Sequence, residues 1–275
     1  MAPRARLLAV DVDGTLLDSR HRVGQANRRA LADALRAGIA VVIATSRGPR
    51  ALTAVLRRLE IPAGAAGGIG VIASQGAAVG RWDGAALRLD RRDPLGRADG
   101  LAVVRAGLEA GLAVGWFSGP DWHVTHIDAA VAREARVVQA DPVVAPPERF
   151  PGDPDKLMLM DGPADPAAPP DRLAQVRRRL PAGLAGHTTS PAFLDVTRDG
   201  VDKSTALARW CREREIDPAA VAAIGDGPND VGLLAFAGLP FAPANACPGA
   251  LAAARAITAS NDADAVADAV SRILA

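Results

Sequence analysis

Residues 6–15 read RLLAVDVDGT, a short apolar run that ends in two acidic residues, a glycine and a threonine. Such a run reads as a buried strand meeting a loop. Downstream, residues 25–37 carry Ala30, Leu31, Ala34 and Leu35 at helical spacing, and Gly38 closes them in the position glycine favours just past a helix. Residues 39–45 (IAVVIAT) are continuous and rich in β-branched side chains, as a strand buried on both faces of a parallel sheet requires. A βαβ unit therefore opens the protein.

The same alternation extends outward. Residues 51–59 predict a helix, and Ile69–Ala73 a strand followed by a glycine-rich hairpin towards Trp82. At the far end, Val221–Ile224 and residues 239–242 read as strands, and residues 230–236 and 263–273 as helices. This order predicts an α/β core, a doubly wound, Rossmann-like parallel sheet. The middle differs: residues 112–118 and 122–127 look like a hairpin joined by Gly119, Pro120 and Asp121. Helical periods appear at Leu101, Val104 and Leu108, and at Leu173, Val176 and Leu180 with Asp171 as N-cap. Proline-rich loops are expected at 142–154 and 163–170. Residues 85–186 are thus expected to form an inserted α+β domain, with 1–84 and 187–275 together making the core.

Composition excludes several partners. In 275 residues, 32 Lys and Arg face 31 Asp and Glu, a net charge of +1 that gives no field to attract nucleic acid or an anionic bilayer. Two cysteines, Cys211 and Cys247, are too few for a disulfide framework or a zinc cage, so a reducing cytoplasm is the expected setting. Residues 231–254 carry no charge, but Pro240, Pro243 and Pro248 forbid a spanning helix. No membrane segment is expected.

Four short stretches carry chemistry. Asp11 and Asp13 stand at a strand end, where the period-2 pleat would turn both carboxylates the same way. Carboxylates that close repel unless a cation or a shared proton relieves them, and a hard cation such as Mg²⁺ suits oxygen ligands. Gly225 to Asp230 (GDGPND) places two more carboxylates, Asp226 and Asp230, after a second strand. Thr45, Ser46 and Arg47 follow the IAVVIA strand at the same edge, where a hydroxyl and backbone N–H groups suit a phosphate oxygen. Lys203 and Lys156 are the only lysines in a chain that otherwise uses arginine, so a compact ammonium is wanted at Lys203, whereas Lys156 reads as an ordinary surface lysine.

In that order DVDGT, ATSR, the lysine of DGVDKSTAL and GDGPND resemble the four motifs of the haloacid dehalogenase superfamily. The long insert before Lys203 and endings such as GLPFAPANA resemble its Cof-type, subclass IIB sugar-phosphate phosphatases. That resemblance implies a C2B-type cap in the insert and a Mg²⁺-dependent phosphomonoester hydrolase acting on a small phosphorylated metabolite. It implies Asp11 as nucleophile forming an aspartyl phosphate, and Asp13 as general acid and base. Mg²⁺ would be held by the Asp11 carboxylate, the Asp13 carbonyl and Asp226. Thr45, Ser46, Lys203 and Asn229 would meet the phosphoryl group, with Asp230 behind them. Arg47 and Gln75 are expected to contact substrate, although the family often has Asn where Gln75 stands and Gly where Ser46 stands. A phosphosugar mutase using the same intermediate, and a non-catalytic phospholigand-binding protein, are the alternatives. Trp116, Phe117 and Trp122 gather in the insert, either as its small core or as a face lowered over substrate.

Overall fold

The computed structural model describes residues 5–61, 68–162 and 171–275. Its larger sheet has the strand order Ala256–Thr258, Leu239–Pro243, Val221–Ile224, Leu7–Val10, Ala40–Ala44, Ile69–Ala73, Ala78–Trp82 and Leu87–Arg92. The first six strands run parallel, and the last two are antiparallel additions. Leu7–Val10 lies inside the sheet with every residue buried.

Alternate side chains of that strand feed two cores, because successive residues of a strand point to opposite faces. Leu8 and Val10 pack with Leu31, Leu52, Leu56 and Val266 on one face. Leu7 and Ala9 pack with Leu207, Trp210, Leu233 and Leu234 on the other. Helices on both faces make this the doubly wound α/β core that the alternation of elements implied. The chain moves outward from Leu7–Val10 in one direction through Ala40–Ala44, and in the other through Val221–Ile224. The crevice at the carboxyl ends of these central strands is where such sheets bind ligands.

A smaller sheet has the order Leu184–Ser190, Phe193–Arg198, Lys156–Met160, Ala113–Ser118, Asp121–Val124 and Val143–Val144. Its strands are antiparallel except for the last pair. One face packs Trp116, Leu157 and Leu159 against Val103, Val104 and Val176. The other packs Phe117, Trp122, Met158 and Met160 against Ala130, Val131 and Val138.

Several sequence expectations change here. Strand Leu87–Arg92 hydrogen-bonds to Ala78–Trp82 and so belongs to the larger sheet, whereas Leu184–Ser190 and Phe193–Arg198 belong to the smaller. Boundaries at 85 and 186 would cut hydrogen-bonded ladders, and we propose 93–198 as the inserted unit. Asp171 precedes the helix Arg172–Arg177 but makes no capping bond, and its backbone is left-handed at φ 58°. A helix that the periodicity did not predict spans Ala129–Val138, capped by Asp128, whose carboxylate accepts from Val131 N. The loop expected at 163–170 lies outside the described residues. Among those described, no helix is long and apolar enough to cross a membrane.

Because Leu8 is wholly buried in the packed core, truncation leaves a cavity that the neighbours refill only in part. Leu8→Ala is expected to lower the unfolding free energy by about 2–5 kcal/mol, read from urea denaturation at unchanged slope.

Candidate active site

Register brings the motifs together. Val10 lies beside Ile43 on one side and Ile224 on the other. The residues that follow, Asp11, Thr45 and Asp226, therefore leave the sheet at one edge, and Asp11 N donates to Ile224 O at 3.0 Å. Gly14 shapes the loop that follows. Its φ is +79°, and a Cβ there would stand 2.3 Å from Asp226 Oδ2, so only glycine lets the backbone close over that carboxylate. Thr15 Oγ1 then donates to Asp226 Oδ1 at 3.0 Å.

Lys203 reaches this edge from the first turn of helix Lys203–Arg212, which a reciprocal Asp202–Thr205 capping box starts. Its buried ammonium donates to Asp11 Oδ1 at 2.6 Å and to Asp230 Oδ1 at 2.7 Å. Asp230 Oδ2 accepts from Gly227 N at 2.9 Å, so both of its oxygens are engaged. Oxygens of Asp11, Asp226 and Asp230 lie within 4.8 Å of one another. Three carboxylates thus crowd a site whose one ammonium contacts two of them, Asp11 and Asp230. Burial opposes the charge of Lys203, but Asp11 and Asp230 outweigh it and hold its pKa above the ordinary lysine value. Burial, and then Asp230, raise Asp11 well above the usual carboxylate range and push Asp226 up to about 6. The site is short of positive charge, and its all-oxygen donor set is one that could hold a hard divalent cation.

Asp13 goes elsewhere. The strand ends at Val10, so the pleat does not carry as far as Asp13. Its carboxylate instead accepts from Arg47 Nε at 2.7 Å and Nη2 at 2.5 Å, and its side chain is not among the three clustered carboxylates. Thr45 is buried, and its hydroxyl accepts from Arg47 N at 3.1 Å. Ser46 lies beside it on the wall of a cavity. Gln75 is buried and points into a bridge between the two sheets. Its Nε2 donates to Asp195 Oδ2 at 3.1 Å, and its Oε1 accepts from Asn229 Nδ2 at 3.2 Å. Gly76, at φ +103°, would place a Cβ 2.2 Å from Asp202 O, so glycine there seats this loop on the start of the Lys203 helix.

The cavity, of about 340 Å³, lies between this edge and the smaller sheet, with Asp13, Arg47, Phe117, Glu134 and Lys156 among its walls. Lys156 is the correction of most consequence, for it is not a surface lysine. It is fully buried, donates to Asp195 Oδ1 at 2.9 Å and stands 4.7 Å from the Phe117 ring centroid. A lysine opening the apolar strand KLMLM was the signal for it. Glu134 was missed with its helix. It sits four residues from Ala130 and Val138, on the buried face, and a charge on the apolar face of a helix was the readable sign. Burial pushes its pKa up to about 7. Phe117 and Trp122 belong to a small core and also line the cavity, with rings 5.5 Å apart and nearly parallel at 11°.

Residues 8–270 match the family model for haloacid dehalogenase-like hydrolases. The chain is 27% identical over 277 residues to the protein YxeH of Bacillus subtilis, covering 98% of each. It is 25% identical to the 5-amino-6-(5-phospho-D-ribitylamino)uracil phosphatase YwtE of the same organism, again over 98% of each. Among solved structures, it superposes with a TM-score of 0.79 at 27% identity on a phosphatase of the haloalkanoate (HAD) enzyme superfamily from Bacteroides thetaiotaomicron, covering 98% of this chain and 95% of the other.

Removing Lys203 strands two buried carboxylates. Lys203→Met is expected to cost about 3–5 kcal/mol of stability at pH 8, measured by urea denaturation in chelator. Carboxyl groups with raised folded-state pKa values take up protons on folding, so the deficit should shrink towards pH 5. A deficit that stayed level or grew on acidification would contradict this charge balance.

Proposed function

Because the chain belongs to the haloacid dehalogenase-like hydrolases and is a phosphatase of that superfamily, we propose that it is a Mg²⁺-dependent phosphomonoester hydrolase working through an aspartyl phosphate on Asp11. Its substrate on this reading is a small phosphorylated metabolite, of which a sugar phosphate is the leading class. The observation that carries the reading is the grouping of Asp11, Asp226 and Asp230 about the single ammonium of Lys203.

An Asp11 oxygen attacks phosphorus, the bond from phosphorus to the ester oxygen breaks, and that oxygen takes a proton from Asp13. Asp13 then removes a proton from water, whose oxygen attacks the same phosphorus. Inorganic phosphate leaves and the Asp11 carboxylate returns. One hard displacement becomes two easier ones. Lys203 favours the ionised form of Asp11 against the burial and the Asp230 charge that oppose it and, with Thr45, Ser46 and Asn229, meets the charge of the phosphoryl oxygens. Arg47 engages both Asp13 oxygens through two hydrogen bonds, so it must release that side chain before Asp13 can reach the ester oxygen.

The donor set fits a divalent ion, since three carboxylates exceed the one ammonium that faces them. Asp11, Asp226 and the Asp13 carbonyl would hold it, and Asp230, with both oxygens engaged, would orient Lys203. Bound there, Mg²⁺ supplies charge that offsets the repulsion between Asp11 and an incoming phosphate dianion.

Asp11→Asn is expected to abolish phosphate release from an aryl phosphate while leaving the circular dichroism spectrum and melting temperature near wild type; retained turnover would overturn the assignment. Chelation should remove activity and added Mg²⁺ restore it, with Asp226→Asn raising the half-activating Mg²⁺ concentration at least about tenfold, in keeping with the loss of one direct ligand. Incubation with a hexose phosphate should yield inorganic phosphate. An isomeric hexose phosphate in its place would identify a mutase.

A further inference from the structure

The cavity beside the cluster is lined unevenly. Phe117, Trp122, Met158, Val137, Val138 and Phe193 make an apolar wall. The cations close to the phosphoryl site are already engaged, Arg47 by Asp13 and Lys156 by Asp195. Arg50 and Arg133 also line the cavity but are exposed to solvent. Glu134 is different: it faces the cavity with no hydrogen-bond or ion-pair partner among the described residues. Its electrostatic neighbours are Lys156, Asp13, Arg47 and Asp195, which places it between the phosphoryl edge and the smaller sheet.

A half-buried carboxyl that faces a cavity without a protein partner gains when a ligand supplies hydrogen-bond donors. Above pH 7 Glu134 is mostly ionised, and an ionised carboxylate is acceptor-only. A leaving group that presents a second carboxylate near phosphorus would meet Glu134 as a like charge, with no unpaired buried cation beside it to compensate.

Resting on the hydrolase reading above, we infer that Glu134 is a specificity-determining residue that accepts a hydrogen bond from a hydroxyl or amino group of the leaving group. The preferred substrates are therefore phosphomonoesters bearing such donors a few bonds from phosphorus, with an apolar or planar face turned to Phe117 and Trp122. Phosphorylated short hydroxy acids are disfavoured. Discrimination of this kind works by repelling the wrong ester as well as by holding the right one.

The test is steady-state phosphate release at pH 8 by the Mg²⁺-loaded enzyme from ribose 5-phosphate, glucosamine 6-phosphate, 2-phosphoglycolate and p-nitrophenyl phosphate, for wild type, Glu134→Gln and Glu134→Ala. Wild type should favour the better of the two donor-bearing esters over 2-phosphoglycolate by at least tenfold in kcat/KM. Both variants should narrow that ratio at least fivefold, mainly through KM, an effect that a purely structural side chain would not produce. A hydroxyl partner leaves Glu134→Gln milder than Glu134→Ala on ribose 5-phosphate. An ammonium partner makes Glu134→Gln harshest on glucosamine 6-phosphate. Either pattern supports the assignment. A ratio unmoved within twofold in both variants, a wild-type preference for 2-phosphoglycolate, or turnover of the aryl phosphate without either donor-bearing ester would overturn it. Failure to release phosphate from all four compounds would instead remove the hydrolase reading, and this inference with it.

Discussion

Three carboxylates crowd one ammonium at the end of a buried strand, and much of the architecture serves to hold them there. Asp11, Asp226 and Asp230 come from segments far apart in sequence, yet their oxygens approach within 4.8 Å. Left alone, such a group would take up protons or push apart. It persists because each member is fixed by something rigid: Asp11 by a strand paired on both flanks, Asp226 by Thr15 and the Gly14 turn, Asp230 by Lys203 and the Gly227 amide. The remaining imbalance of charge favours a cation and, beside that cation, an anion. That is the physical basis for reading the site as one for phosphoryl transfer.

The smaller sheet complements this edge. Its face towards the larger sheet carries Phe117, Trp122 and Met158, and with them the buried Lys156–Asp195 pair. Gln75 joins that pair to Asn229 on the opposite side. A polar path thus runs from one sheet to the other through a largely apolar boundary. A buried network of this kind is costly when half-satisfied and gives a defined geometry when complete. The Lys156–Asp195, Gln75–Asp195 and Gln75–Asn229 bonds tie the inserted unit to the reacting edge.

The central strands of the larger sheet were legible because they are apolar on both faces and the helices between them keep a clear period. Residues 69–73 read as a strand and form one, and residues 25–37 read as a helix that forms over Gln25–Arg36. DVDGT and GDGPND were legible because acidic residues directly after apolar strands can only leave the sheet at its carboxyl edge. Asp13 was harder, since its direction depends on where the strand stops and on Arg47 arriving from another loop. Lys156, Glu134 and Asp195 were hidden for a common reason: a charge on an otherwise apolar element looks like a surface residue until a partner or a cavity is seen. The boundaries of the insert were hard to read because edge strands such as Leu87–Arg92 alternate half-buried and exposed residues whichever sheet they join.

The pairing of Leu7–Val10 with both Ala40–Ala44 and Val221–Ile224 has a consequence for biosynthesis. On the ribosome one neighbour emerges almost at once, while the other waits until most of the chain has been made. During that interval the strand has a bare flank of amide and carbonyl groups, the kind of edge that recruits unwanted partners. The smaller sheet draws all its strands from one contiguous stretch, so it can mature first. The nascent protein therefore finishes its middle before its beginning, and the reacting edge comes into being only with the late arrival of Val221–Ile224.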